Sequence, residues 1–224
     1  MYCICILFDT DGECPADIHD IRFDKVYSAN GNQMFMIKSN GGGGTVRDCS
    51  FSNFVGRHNA YTLDIDANWS QLKKAAGDGV LFRDLNFTGW HGSCSDGNRR
   101  APVNIVCPDA KPCYGIRVSD FAVWTETGSH ELYKCGNAYG EGVCLKGGAA
   151  AAGGLASYAV TTMTVASAPS GWNAPTMTAD LTALGLSSSI PIPAVPTSFF
   201  PGATPYSLLM GGAAASAAAA KDRQ

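Results

Sequence analysis

Leu85-Asn-Phe87-Thr-Gly-Trp90 places apolar side chains at its first, third and sixth positions, and the same outline recurs at Ile21-Phe23-Val26, Cys49-Phe51-Phe54 and Ile116-Val118-Phe121. The first members are 28, 36 and 31 residues apart, which makes this an internal repeat. Each triplet is followed by a turn and a second short apolar run, at 34–37, 61–65, 103–106 and 132–133. Every repeat therefore holds at least two strands and no helical pattern. That is too short for a four-stranded propeller blade, and it lacks the helix of a leucine-rich repeat. The expected fold is all-β, a right-handed parallel β-helix in which each triplet stacks on the one before. Burying each Phe, Leu or Ile in such a stack contributes roughly 1.5–3 kcal/mol, and at least about three repeats are needed before burial outweighs chain ordering. A β-sandwich is the alternative, with strands joined by tight hairpins instead.

Working outward, Asn32-Gln-Met-Phe-Met-Ile-Lys38-Ser-Asn40 sets one lysine at the end of an apolar run too short for a helix. One repeat later, Asn59-Ala-Tyr-Thr-Leu-Asp-Ile-Asp66 alternates apolar and acidic residues with a strand's period of two. Two neighbouring strands thus end in Lys38 and Asp66, and a ligand is expected beside that pair. Asp64 and Asp66 share a strand face, as a glycosidase's acid and base must share a cleft. The simpler reading of both is that of solvated outward acids.

The 224 residues are 46% hydrophobic and 16% charged, with 26 glycines, a composition that favours a turn-rich β fold over charged helices. A net charge of −3, without a basic run longer than two, speaks against nucleic acid as a partner. No segment approaches the ~18 apolar residues of a membrane span, so no membrane partner is expected. The apolar residues 1–8 lack a basic flank and are followed by Asp9, Asp11 and Glu13, which is not a signal-peptide pattern.

Four of the nine cysteines fall into two pairs with loop-closing spacing, Cys107 with Cys113 and Cys135 with Cys144. Both spacings suit disulfides better than a zinc site, whose pairs are tighter and come in twos, so no metal is expected. Cys49, at an inward triplet position, reads as a buried thiol. Asn68-Trp-Ser70 and Asn86-Phe-Thr88 are glycosylation sequons, making Asn68 and Asn86 candidate acceptors on a secreted chain. Glycines 41–44 lack the Lys-Ser or Lys-Thr of a phosphate loop and read as a flexible turn. His19, His58, His91 and His130 fall in separate repeats and read as surface residues, with no serine elbow to partner them.

The expected organisation is an atypical segment at 1–16, strand coils at 17–146 and a Gly/Ala-rich linker at 147–156. An extended tail at 157–210 packs on the coils and includes a strand within 157–166 and a short helix within 176–186. A disordered tail follows at 211–224.

Asn32-Gln-Met-Phe-Met-Ile-Lys-Ser-Asn-Gly41, Asn59-Ala-Tyr-Thr-Leu-Asp-Ile-Asp66, Val123-Trp-Thr-Glu-Thr-Gly-Ser129, Glu131-Leu-Tyr133, Ser189-Ile-Pro-Ile-Pro193 and Pro196-Thr-Ser198 together resemble glycoside hydrolase family 28. Within it they are most similar to fungal rhamnogalacturonan hydrolases, which are parallel β-helices that cleave pectin by inversion. Met36-Ile37-Lys38 resembles the family's Arg-Ile-Lys motif, with Met36 in place of the arginine, as suits a cleavage site flanked by neutral rhamnose. The resemblance implies Lys38 and Trp69 as substrate contacts and no cofactor. It further implies a pectic polysaccharide, rhamnogalacturonan or polygalacturonan, as partner, an extracellular setting, and a monomer when complete. The family's catalytic carboxylates precede its lysine motif by about two coils. The cluster Asp9-Thr-Asp11-Gly-Glu13 falls one coil early, so no catalytic residue is assigned, and the chain is expected to be a C-terminal part of the enzyme. The alternatives are a polygalacturonase or a non-catalytic pectin-binding β-helix.

Overall fold

The computed structural model describes residues 4–7, 16–96, 101–128, 130–147, 154–174 and 176. Met1–Pro175 forms one compact unit. The segment at 8–15, the expected short helix, the proline-rich tail and the final segment at 211–224 lie outside the described residues.

Every described element is a strand. In chain order these are β1 (Ile4–Leu7), β2 (Ala16–His19), β3 (Arg22–Ala29), β4 (Gln33–Lys38), β5 (Gly44–Asn59), β6 (Tyr61–Asp66), β7 (Leu81–Cys94), β8 (Val103–Val106), β9 (Cys113–Thr125), β10 (Glu131–Gly136), β11 (Ala138–Glu141) and β12 (Thr161–Val165). The chain passes alternately between two six-stranded sheets. One runs β1-β4-β6-β8-β10-β12, and the other runs β11-β9-β7-β5-β2 with β3 also on β5. All pairings are parallel except β10 with β12. A sandwich built from hairpins is thereby excluded, and two parallel sheets fed by one alternating chain are compatible with the expected coil. Residues 4–7 supply a parallel edge strand beside β4.

The triplets are the core. Phe23, Phe51, Phe87 and Val118 fall in successive register, as do Val26, Phe54, Trp90 and Phe121. Stacking follows: the Phe51 and Phe87 rings lie 5.1 Å apart, and those of Phe54 and Trp90 lie 4.4 Å apart and nearly parallel. Buried Trp90 also donates its indole N–H to the Phe51 carbonyl at 2.9 Å, so the one polar atom among these rings is satisfied.

The long strands of the second sheet turn two corners per repeat, both in the left-handed backbone region. Asp20, Asp48, Asp84 and Gly115 form the first column of corners, at φ 56°, 56°, 54° and 66°. Lys25, Asn53, Gly89 and Asp120 form the second, five residues on, at φ 60°, 55°, 70° and 48°. Asp, Asn and Gly tolerate this conformation best, and they hold seven of these eight positions. The first and third members of each triplet directly follow the two corners.

Cys107–Cys113 and Cys135–Cys144 are disulfides with Cα–Cα distances of 5.8 and 5.6 Å, the first closing the β8–β9 connection. Cys49 and Cys94 are buried free thiols. Glycines 41–44 do form the β4–β5 turn, but they are packed rather than flexible: a Cβ on Gly41 (φ 70°) would meet the Ala75 carbonyl oxygen. That carbonyl accepts the Gly42 amide at 3.2 Å, which requires the close approach. Among the described residues no helix is long and apolar enough to cross a membrane.

Candidate functional site

Strands β4 and β6 run side by side with Met36 opposite Asp64 and Lys38 opposite Asp66, and β8 adds Asn104 beside Asp64 and Val106 beside Asp66. Phe35, Ile37, Leu63, Ile65, Val103 and Ile105 belong to the core. The alternate residues Met36, Lys38, Asp64, Asp66 and Asn104 therefore share the opposite face.

Lys38 stands at the end of β4, half-buried, with its ammonium 5.4 Å from the centroid of the Trp69 ring, within range of a cation–π attraction. The two residues named from sequence as contacts are thus brought together. The segment carrying Trp69 is fastened to the β4–β5 turn along its length. The Trp69 amide donates to the Ser39 carbonyl at 3.0 Å, the Ala75 amide to the Asn40 carbonyl at 2.9 Å, and the Asn40 side-chain amide to the Leu72 carbonyl at 2.7 Å. An Asn40–Asn68 bridge completes the contact. The segment that carries the indole is therefore held in place before any ligand arrives, which spares ordering entropy on binding.

The structure corrects the reading of Asp64 as a solvated outward acid. Its position on the outer face is as expected, but Asp64 is only 1% exposed. Burial pushes its carboxyl up to about 7, with the nearby Asp66 charge adding to the rise; Asn104, donating at 2.8 Å, opposes it. Met36, its register partner, supplies apolar surface where a basic residue would have supplied a countercharge. Asp66 is also raised by burial, opposed by the Asn68 amide donating to its Oδ1 at 2.8 Å. A carboxyl as enclosed as that of Asp64 cannot present a proton to a sugar, so the pair is not assigned as acid and base.

Sequence reasoning missed a second buried acid. Glu131 starts β10, is 0% exposed, and is pushed up to about 7 by burial, which outweighs bonds from Cys94, Tyr133 and the Thr125 backbone. The Cys94 thiol donates to its Oε1 at 3.1 Å, while Oε2 has no hydrogen-bond partner among the described residues. Its inward parity, opposite to that of a polar surface residue, was readable from the alternation leading to Tyr133.

Of the two sequons, Asn68 is exposed in the segment between β6 and β7, whereas Asn86 is half-buried in the middle of β7. His58 and His91 are paired with Glu126 and Asp120 at 3.5 and 3.2 Å, and His19 with Asp20 at 2.7 Å, all well exposed. No group of three or more His, Cys, Asp or Glu side chains placed to hold a metal occurs among the described residues.

No family model matches the chain. Individual proteins do. The chain is 52% identical over 206 residues, 92% of its length, to a protein of Aspergillus fumigatus named probable rhamnogalacturonase B. It is 51% identical over 196 residues, 87% of its length, to rhamnogalacturonase A of Aspergillus aculeatus, and 48% identical over 201 residues to rhamnogalacturonase A of Emericella nidulans. It covers 39% to 43% of these relatives, so the chain spans about two fifths of their length.

Proposed function

We propose that this chain, a relative of the fungal rhamnogalacturonases, is part of a secreted glycoside hydrolase that degrades pectin by inverting cleavage of the rhamnogalacturonan backbone. The observation that carries the reading is the Lys38–Trp69 pair: a cation held over an indole at a strand end, on a segment already fastened. An ammonium suits a uronate carboxylate, and an indole suits the apolar face of a sugar ring. The alternation between two parallel sheets, with triplets in register, supports a right-handed parallel β-helix as the scaffold.

Rhamnogalacturonan is preferred over polygalacturonan because Met36, not a second cation, stands beside Ile37 and Lys38. Met36 is itself enclosed, so this face offers a uronate one countercharge rather than two. No catalytic acid or base is assigned among these residues, since an inverting pair needs two accessible carboxyls ~6.5–9.5 Å apart and Asp64 is enclosed. That same enclosure favours the second reading, a binding-only pectin module. Neither reading calls for a cofactor.

Lys38→Ala is the test. Loss of one charge-assisted contact, about 1.5–3 kcal/mol, should weaken binding of rhamnogalacturonan oligosaccharides roughly ten- to a hundred-fold by calorimetry while the melting temperature barely moves. Unchanged affinity would remove Lys38 from the site, and tighter binding of polygalacturonate than of rhamnogalacturonan would overturn the substrate preference.

A further inference from the structure

We infer that Asn68, and not Asn86, carries an N-linked glycan, and that the glycan stands at the edge of the Lys38–Trp69 face. The inference rests on the chain being secreted, as proposed above. The sequence contains only these two sequons, and nothing in the triplets themselves separates them. Their surroundings do.

Asn68 is exposed, and so is its sequon hydroxyl residue Ser70. The Asn68 backbone is fixed from two sides. Its amide donates to Asp66 Oδ1 at 2.8 Å, and the residue bridges to Asn40 across the segment. An exposed asparagine on a fixed backbone leaves room for a sugar without disturbing a strand.

Asn86 is placed in the opposite way. It lies inside β7 with β5 and β9 on either side, opposite Ser50 and Arg117. Neighbouring strands are about 4.8 Å apart, so Ser50 and Arg117 flank Asn86 on the same face at that spacing. The Asn86 Oδ1 is already buried without a hydrogen-bond partner among the described residues, and Thr88, the sequon hydroxyl, accepts a hydrogen bond from Ser119 at 3.0 Å. A glycan on Asn86 would have to displace that row of side chains.

In the transfer, the Asn68 side-chain nitrogen attacks the anomeric carbon of a lipid-linked oligosaccharide diphosphate. The nitrogen–carbon bond forms, the carbon–oxygen bond to the diphosphate breaks, the amide nitrogen loses a proton, and the lipid diphosphate leaves. Transfer precedes folding, so a chain modified at Asn86 must afterwards fold around the sugar, and the secreted pool selects against it. The residue after Asn68 is Trp69, whose ring carries the Lys38 ammonium. The first sugar therefore lies one residue from that ring.

The experiment is secretion of the full 224-residue chain from yeast behind a yeast secretion leader, with intact-mass and glycopeptide mapping of secreted and cell-retained protein. The expected secreted protein carries one glycan, which Ser70→Ala abolishes and Thr88→Ala leaves in place. A glycan that survives Ser70→Ala, two glycans on the secreted chain, or none in either fraction overturns the assignment. Oxidative labelling of Trp69 before and after enzymatic glycan removal tests the placement: labelling should rise on removal, and unchanged labelling would put the glycan elsewhere. These readouts involve no pectin, so failure of the sugar-binding proposal would leave them interpretable.

Discussion

Asp17 and Asp24, on the outside of the second sheet, and Asp64 and Glu131, enclosed along the first, carry the same chemical group and respond to their surroundings in opposite directions. Arg47 grips Asp17 with two bonds of 3.0 Å and holds its carboxyl below the usual range. Asn53 and Ser52 do the same for Asp24 at 2.6 and 3.0 Å. Asp64 and Glu131 are both pushed up to about 7 by burial, against ordinary values of 3.8 and 4.5. Where acids meet donors in open solvent, the charged form is readily kept. Where they are enclosed beside Met36 or Cys94, the neutral form wins.

That contrast fixes a pH dependence. A carboxyl whose folded value is raised contributes stability that is complete below its unfolded value and is lost as pH rises through the folded one. For Asp64 and Glu131 the window runs from about 4 to about 7. Asp17 and Asp24 act oppositely, losing their contribution as pH falls below the ordinary value, but exposed pairs are screened and contribute little. The melting temperature should therefore drop between pH 5 and pH 8, and a flat or rising profile would show that the buried acids are ionised and accommodated. Glu131→Gln keeps the shape of the neutral acid. It should leave stability unchanged at pH 4.5 and raise it at pH 8 by up to about 3 kcal/mol, because holding a carboxyl neutral across each further pH unit opposes ionisation by ~1.4 kcal/mol. Equal effects at both pH values would assign Glu131 a purely steric role.

A smaller change sharpens the comparison by converting one region into the other. Met36→Arg sets a guanidinium in register with Asp64. In a Glu131→Gln background it should remove most of the remaining loss of stability between pH 5 and pH 8, as Asp64 returns towards an ordinary carboxylate. A slope that persists would mean that enclosure alone, and not the missing countercharge, governs Asp64. The smallest effect is expected from Arg47→Ala, which frees two exposed aspartates, Asp17 and Asp48. It should lower the melting temperature slightly in dilute buffer and not at all in high salt. A loss that survives high salt would show that the guanidinium stem packs structurally.

How legible all this was in the sequence varied with the kind of signal. The triplets announced the core because one inward position recurs at the same place in every repeat, and Phe51, Phe87, Phe54 and Trp90 stack as that recurrence requires. Lys38 and Trp69 were legible as separate residues; their meeting depends on the bonds that fasten 67–79 to 39–42, which no periodicity encodes. Asp64 was misread because strand alternation tells which face a side chain takes and not whether that face is covered. Glu131 was passed over because it is an acid at an inward position, where local pattern predicts an apolar residue. The corners are written as an Asp, Asn, Gly or Lys immediately before the first and third members of each triplet, a signal that hydrophobic spacing alone does not register.

Those two columns of corners carry a consequence for how such a chain can change in length. The interval between the corners is five residues in every repeat, from Asp20 to Lys25, Asp48 to Asn53, Asp84 to Gly89 and Gly115 to Asp120. The interval from one repeat to the next is not constant, at 28, 36 and 31 residues. The longest of these includes the segment between β6 and β7, which bears Trp69 and Asn68. Between corners the chain behaves as a ruler, because one added residue would turn every inward side chain outward. Between repeats it behaves as slack. New recognition elements can be spliced into the slack, or a whole repeat duplicated or excised, while the aromatic stack resumes its register on the far side.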